Sequence, residues 1–373
     1  MKKILFIISE DWYFVSHRAN LAKFAINEGY EVSLLTRVSN HGEYITSLGV
    51  KIIDWPIERK SLNIIREFQS IYYLVKTVRK NKPNLLFAVA IKPVFYTVLS
   101  RFFINVNGIV LAFAGLGFIF RSDKKLARMI RLIIVSIFRI FLVNSNVRLI
   151  AQNKDDINIL KNCKIIKSDS LRLIRGSGVN TNYYYPNKKL NKKPLVILPA
   201  RMLWDKGVGD FVRCAQRCFD EKIDVRFALV GEPDLHNPER VPKKLLLEWK
   251  NSNFIEYWGR QENMLEIYNM SDIVCFPSYH EGLPKALLEA ACCELPIVAY
   301  DVSGSREIVR DGVNGFLIEL KNENDLFLAI LKLLDSPSQR KKMGSIGRQI
   351  VIQNFADNIV CNKTIDVWKE FTS

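Results

Sequence analysis

Short apolar runs of strand length alternate along nearly the whole chain with longer segments of helical period, and this alternation narrows the fold more than any other feature. In the first half the runs are Ile4–Ile8, Glu31–Leu35, Val50–Asp54, Leu85–Val89, Ile109–Ala112 and Arg148–Ala151. In the second they are Leu195–Pro199, Val225–Val230, Phe254–Trp258, Ile273–Phe276 and Pro296–Ala299. Helical segments begin near Ser16, Gly42, Asn63 and Ser122, then near Gly207, Lys243, Glu262, Lys285 and Ser305, with more helix from Asn324 onward. Strands alternating with helices build βαβ units, and so the expectation is an α/β protein with parallel sheets covered on both faces.

The 373 residues suffice for two domains at ~100–200 residues each. The best linker is Arg175–Pro194, rich in turn formers, with two prolines and no apolar period. The expected division is a first domain over 1–180, a second over 190–350, and a terminal helix over 351–373 that packs back toward the first. Two open α/β sheets in tandem place a ligand site at the C-terminal strand ends, in a cleft shared by both.

Two apolar stretches need testing against a membrane. Met1–Ser9 has an apolar core too short for a signal peptide and runs into Glu10 and Asp11, so it reads as a buried strand. Phe102–Phe120 is free of charge for nineteen residues, close to the ~20 of a membrane helix. Asn105, Asn107, Gly108, Gly115 and Gly117 interrupt it, which favours a strand followed by a glycine loop.

The net charge of +16 is confined to one half: up to residue 185 there are 28 Lys/Arg against 12 Asp/Glu, and beyond it 26 against 26. A basic half meets an anionic surface or substrate. Arg121–Arg148 sets Lys124, Lys125, Arg128, Arg131 and Arg139 among apolar residues, with Lys124, Arg128 and Arg131 at helical spacing. Such a helix suits an anionic membrane interface, where Lys124, Lys125, Arg128 and Arg131 are the contact candidates; the alternative is a core helix with a solvated basic edge. Seven scattered cysteines without a C-x-x-C pair fit a reducing cytosol, and the four histidines show no zinc spacing.

Chemistry-bearing residues lie on two loops after strands. Pro277–Ala290, P-S-Y-H-E-G-L-P-K-A-L-L-E-A, turns at Gly282 and Pro284 into a helix whose first N–H groups form an anion site. Glu289 lies one turn into that helix, where it can accept from ribose hydroxyls. Glu281 sits beside the anion cradle. A carboxylate there is costly unless something cationic or hydroxylic is held with it, so the pair points to a ligand with phosphate and sugar parts. The second loop, Ala200–Val208, carries Arg201 and Lys206, suited to neutralising a departing diphosphate.

Taken together, D-W-Y-F-V-S-H-R (Asp11–Arg18), the G-L-G of Gly115–Gly117, G-S-G-V-N (Gly176–Asn180), A-R-M-L-W-D-K-G-V, Y-W-G-R (Tyr257–Arg260), E-G-L-P-K-A-L-L-E and G-S-R-E-I-V-R-D-G-V-N-G (Gly304–Gly315) resemble the retaining GT-B glycosyltransferases of family 4, especially bacterial enzymes of O-antigen, capsule and other lipid-linked glycans. The resemblance spans nearly the whole chain. It implies two Rossmann-like domains facing a cleft, with a basic acceptor domain first and a nucleotide-sugar domain second. It further implies that Arg201 and Lys206 hold the diphosphate, that Glu289 binds the ribose, and that Glu281 contacts the donor sugar beside the reacting carbon. Backbone of Gly282, Leu283, Pro284 and Lys285 would hold phosphate and sugar, Arg260 would stand where the base is contacted, and Tyr279, His280 and Lys285 would tune the choice of sugar.

The implied reaction moves a hexose or N-acetylhexosamine, with retention, from a UDP-sugar to a polyprenyl-diphosphate-linked saccharide. The implied place is the cytoplasmic face of the inner membrane. No D-x-D triplet occurs, so no metal and no cofactor is expected beyond the nucleotide-sugar substrate. One departure stands out: where many members carry a His after the strand Leu85–Val89, this chain reads A-I-K-P. Lys92, His17 and Gly115 remain as acceptor or cleft candidates. A sugar-nucleotide epimerase of the same fold lacks identifiable acid and base groups here. A nucleic-acid binder has only the basic pI in its favour, and no nucleic-acid partner is expected.

Overall fold

The computed structural model describes residues 1–58, 63–116, 120, 125–142, 146–188, 191–234 and 237–372. Lys124 and Gly117 lie outside the described residues. The chain forms two compact units, Met1–Gly178 with Asp357–Ser373, and Val179–Ala356.

The first unit holds seven parallel strands: β1 (Lys2–Glu10), β2 (Tyr30–Arg37), β3 (Lys51–Asp54), β4 (Leu85–Val89), β5 (Gly108–Ala112), β6 (Val147–Ala151) and β7 (Leu171–Leu173), in the order β3-β2-β1-β4-β5-β6-β7. β4 and β5 are buried throughout, which is why their sequences are unbroken apolar runs. Alternate residues feed opposite faces: Leu5, Ile7, Leu86 and Ala88 enter one core, and Ile4, Phe6, Leu85 and Phe87 the other.

The second core is closed by the last helix, Asp357–Thr372, whose Trp368 meets Phe6 at 5.7 Å and Phe87 at 5.2 Å between ring centres, both edge to face. Arg148 and Arg172 reach Glu370 on the same helix at 2.6 and 2.9 Å. Close approach also explains Gly108, where a Cβ would stand 2.1 Å from the Phe371 ring.

The helix Ile64–Asn81 starts at Asn63, whose Oδ1 accepts from the Ile65 and Arg66 amides. The helix Ile91–Leu99, which sequence periodicity does not announce, follows β4 directly. The helix Lys125–Leu142 buries Val135, Phe138 and Leu142 on one side. Among the described residues no helix is long and apolar enough to cross a membrane.

The second unit repeats the plan with β8 (Leu195–Pro199), β9 (Arg226–Val230), β10 (Glu256–Gly259), β11 (Ile273–Phe276), β12 (Ile297–Tyr300) and β13 (Gly315–Ile318), ordered β10-β9-β8-β11-β12-β13 and parallel throughout. In each sheet the strand order reverses beside the first strand, β1 next to β4 and β8 next to β11, and such switch points are where open sheets bind ligands. Most of the expected linker belongs to this unit: the Asn187 amide donates to Asn269 Oδ1 at 2.7 Å, and Asn191 Nδ2 to the Met270 carbonyl at 2.6 Å.

Candidate functional site

In the second unit, the loops after β8 and β11 meet at the switch point. Gly207 ends the first with φ +70°, and a Cβ on it would stand 2.0 Å from the Pro277 carbonyl oxygen, so only glycine lets the two loops touch. The Tyr279 amide then donates to the Asp205 carbonyl at 2.9 Å. This seam brings Lys206 Nζ to 2.6 Å from Glu281 Oε1, with the side chains only 14% and 12% exposed.

The cation expected from a ligand beside Glu281 is thus supplied by the chain's own Lys206. Arg201 does not share that carboxylate; it pairs with Asp234, on the loop after β9, at 3.2 Å and stays half exposed. An exposed pair of this kind contributes ~0–1 kcal/mol, so an incoming phosphate exchanges with Asp234 at little cost. The Lys206–Glu281 pair is the more strongly held of the two.

The helix Lys285–Cys292 opens at Pro284, which supplies no capping side chain, so its first-turn N–H groups point out of the helix end as the sequence suggests. Glu289 is buried. It accepts from the Tyr268 hydroxyl at 3.2 Å and lies 3.5 Å from Lys285 Nζ. Burial pushes its carboxyl above the usual range, and Lys285, Tyr184 and Tyr268 only partly offset this. Arg260 is exposed just after β10, beyond Gly259.

The Tyr279 hydroxyl is engaged within the chain. Its hydroxyl is 3.1 Å from both Asp210 carboxylate oxygens, while Tyr300 donates to the same buried carboxylate at 2.7 Å. Burial, with Asp210 adding to it, pushes the Tyr279 hydroxyl up to about 12. Asp210, Tyr184 and Tyr268 are the positioning residues that the sequence does not reveal, since each lies far along the chain from the group it holds.

In the first unit, Asp11 is fully buried at the end of β1 and accepts from the Ser39 amide at 2.7 Å, the Ser39 hydroxyl at 2.5 Å and the His41 amide at 3.1 Å. Burial opposes its charge, but these bonds win and hold its carboxyl below the usual range. His17 stacks on Tyr13 at 4.4 Å with Nδ1 2.6 Å from Ser16 Oγ. Gly115 follows β5 with φ +123°.

Lys92 is committed within its own unit: Nζ lies 2.9 Å from Glu67 Oε1 and donates to the Glu58 carbonyl at 2.6 Å. Of the basic helix residues, Lys125 and Arg128 are exposed, whereas Arg131 donates to the Phe120 carbonyl at 2.6 Å.

Two parallel-sheet α/β units, with a cation loop and a carboxylate loop meeting at the switch point of the second, have the architecture of the GT-B class. Residues 184–350 match the family model for group 1 glycosyl transferases, and residues 3–154 that for glycosyl transferase 4-like proteins. The chain belongs to the family 4, group 1 glycosyltransferases and is a transferase enzyme.

It is 26% identical, over 91% of its length and 90% of the relative's, to the N,N'-diacetylbacillosaminyl-diphospho-undecaprenol alpha-1,3-N-acetylgalactosaminyltransferase of Campylobacter jejuni. It is 23% identical, over 85% and 84%, to the UDP-Gal:alpha-D-GlcNAc-diphosphoundecaprenol alpha-1,3-galactosyltransferase of Escherichia coli. In fold it matches the Anabaena protein HepE, solved with UDP-glucose, with a TM-score of 0.80 at 16% identity over 99% of this chain and 100% of that one.

Proposed function

We propose that the protein transfers a hexose or N-acetylhexosamine, with retention and without a metal, from a UDP-sugar to a polyprenyl-diphosphate-linked saccharide at the cytoplasmic face of a bacterial inner membrane. The observation that carries the donor half is the Lys206–Glu281 pair, sequestered from water beside the open end of the helix Lys285–Cys292. A diphosphate arriving there meets Lys206, the exchangeable Arg201 and first-turn amides, enough positive potential to stabilise the leaving group without a divalent ion.

Once Lys206 turns to the diphosphate, Glu281 is released to accept from hydroxyls of the sugar. Glu289, held by Tyr268 and Tyr184, then accepts from the ribose. In the front-face step the acceptor hydroxyl oxygen bonds to the anomeric carbon as that carbon's bond to the diphosphate breaks. The acceptor proton passes to the departing phosphate oxygen, so no protein base is needed.

The acceptor half is supported by the names of the two relatives, both of which act on diphospho-undecaprenol sugars. The choice of UDP follows the Escherichia coli relative, whose name specifies UDP-Gal. The basic first half and the exposed Lys125 and Arg128 support placement on an anionic membrane. The test is transfer from UDP-galactose and UDP-N-acetylgalactosamine to a short synthetic polyprenyl diphosphate saccharide in EDTA, with the anomer read by NMR. An α-linked product supports the proposal; a β-linked product, or transfer only after a divalent ion is restored, overturns it.

A further inference from the structure

The first unit contains an apolar cavity of about 490 Å³ enclosed by the helices Ile64–Asn81, Ile91–Leu99 and Lys125–Leu142. Its walls are set by Phe68, Ile71, Phe95, Ile133, Ile134 and Phe138. The polar groups on its lining satisfy one another: Glu67 accepts from Lys92 at 2.9 Å and from the Tyr96 hydroxyl. What faces the space is therefore hydrocarbon, which offers water no hydrogen-bond partner.

The cavity opens to the outside. Ile64, Phe68 and Ile133 line it and are 70%, 67% and 54% exposed. From that mouth Leu132, Met129 and Ile140 continue an apolar stripe along the helix Lys125–Leu142, again more than half exposed, on the same helix as Lys125 and Arg128. Contiguous exposed apolar surface of this kind marks a binding site.

We infer that this cavity seats an isoprenoid chain, the lipid portion of the acceptor nearest its diphosphate, with the exposed Lys125 and Arg128 in the first turns of the helix Lys125–Leu142, which also lines the cavity, drawing the anionic head. Its volume of about 490 Å³ falls within the ~300–1,000 Å³ of small-ligand pockets and would hold only about one turn of a helix ~10–12 Å across. The exposed cations of that helix match a chain that carries a diphosphate. The inference rests on the proposed acceptor class only for the identity of the chain, since the cavity and its mouth belong to the first unit alone.

The test is binding of farnesyl diphosphate to the intact protein by calorimetry, with inorganic pyrophosphate and myristate in parallel. Farnesyl diphosphate should bind, pyrophosphate alone should bind at least tenfold more weakly, and Ile71→Trp, which fills the cavity, should cost a further tenfold or more. Phe68→Asp, at an exposed position that folding tolerates, should reproduce that loss. In both variants the thermal shift produced by UDP should remain as in the parent chain.

Equal binding of myristate would assign the site to ordinary bilayer lipid and overturn the isoprenoid assignment. A dimer that Phe68→Asp abolishes, with no farnesyl binding, would give the face to a second copy and overturn it as well, as would undiminished binding in both variants. Absence of any UDP shift, with farnesyl diphosphate bound, would count against the transferase reading and leave the cavity assignment standing.

Discussion

Changing Glu281 to Gln keeps the shape of the side chain and removes its charge from Lys206. At 2.6 Å the pair's attraction is about 6 kcal/mol at an effective dielectric of ~20. Most of that is offset by the cost of drying both groups, and breaking a buried pair costs ~3–5 kcal/mol. Because the two side chains keep 14% and 12% of their exposure, the lower end applies, about 3 kcal/mol. For a unit the size of Val179–Ala356 that lowers its unfolding midpoint by about 6–12 °C.

The same change frees Lys206 for a diphosphate, so UDP should bind roughly five- to thirtyfold tighter, about 1–2 kcal/mol, while sugar transfer falls sharply. Differential scanning fluorimetry and calorimetric UDP titration read both effects on one sample. An unchanged midpoint together with unchanged or weaker UDP binding would refute the reasoning, and full transfer by Glu281→Gln would remove Glu281 from the reaction.

Ala90, between β4 and the helix Ile91–Leu99, has φ +74° and ψ 164°, a region that only glycine occupies without strain. Ala90→Gly should stabilise the first unit by about 1 kcal/mol after the entropy cost of glycine, measured by urea unfolding. Glu289 has a raised carboxyl pKa, so its ionisation opposes folding and the stability present at low pH is lost as pH rises through that value. Glu289→Gln should therefore raise the midpoint at pH 8 and lose that advantage as pH falls, while weakening UDP binding. Lys125→Gln with Arg128→Gln should reduce partition onto phosphatidylglycerol vesicles by about 2 kcal/mol, roughly thirtyfold, in sedimentation. Adding Gln at Lys124 should lower it further, and undiminished sedimentation would assign these cations to solvent.

The central buried strands were legible because they are covered on both faces and so cannot carry polar residues: Leu195–Pro199 and Ile273–Phe276 have the same ends in sequence and structure. β7 and β13 were not, because both lie at sheet edges with half-buried residues, Arg172 and Leu173 in one and Phe316 and Leu317 in the other. The helix Ile91–Leu99 was hidden by Pro93, which sits in its first turn, where proline is tolerated.

At the candidate site, the loops and their charged residues could be read from turn chemistry and spacing. Their pairing could not, since the approach of Lys206 to Glu281 depends on Gly207 seated against Pro277, a contact across 70 positions of chain. The basic helix shows the same limit. Helical spacing groups Arg131 with Arg128, but a backbone carbonyl at Phe120 holds Arg131 while Arg128 is exposed.

The most direct test of the central claim is calorimetric titration of UDP into the intact protein in EDTA, repeated with Lys206→Ala. The account predicts one UDP per chain without a metal, and binding at least tenfold weaker in the variant despite a folded second unit. Absence of UDP binding by the parent chain in EDTA, or equal affinity in Lys206→Ala, would contradict it.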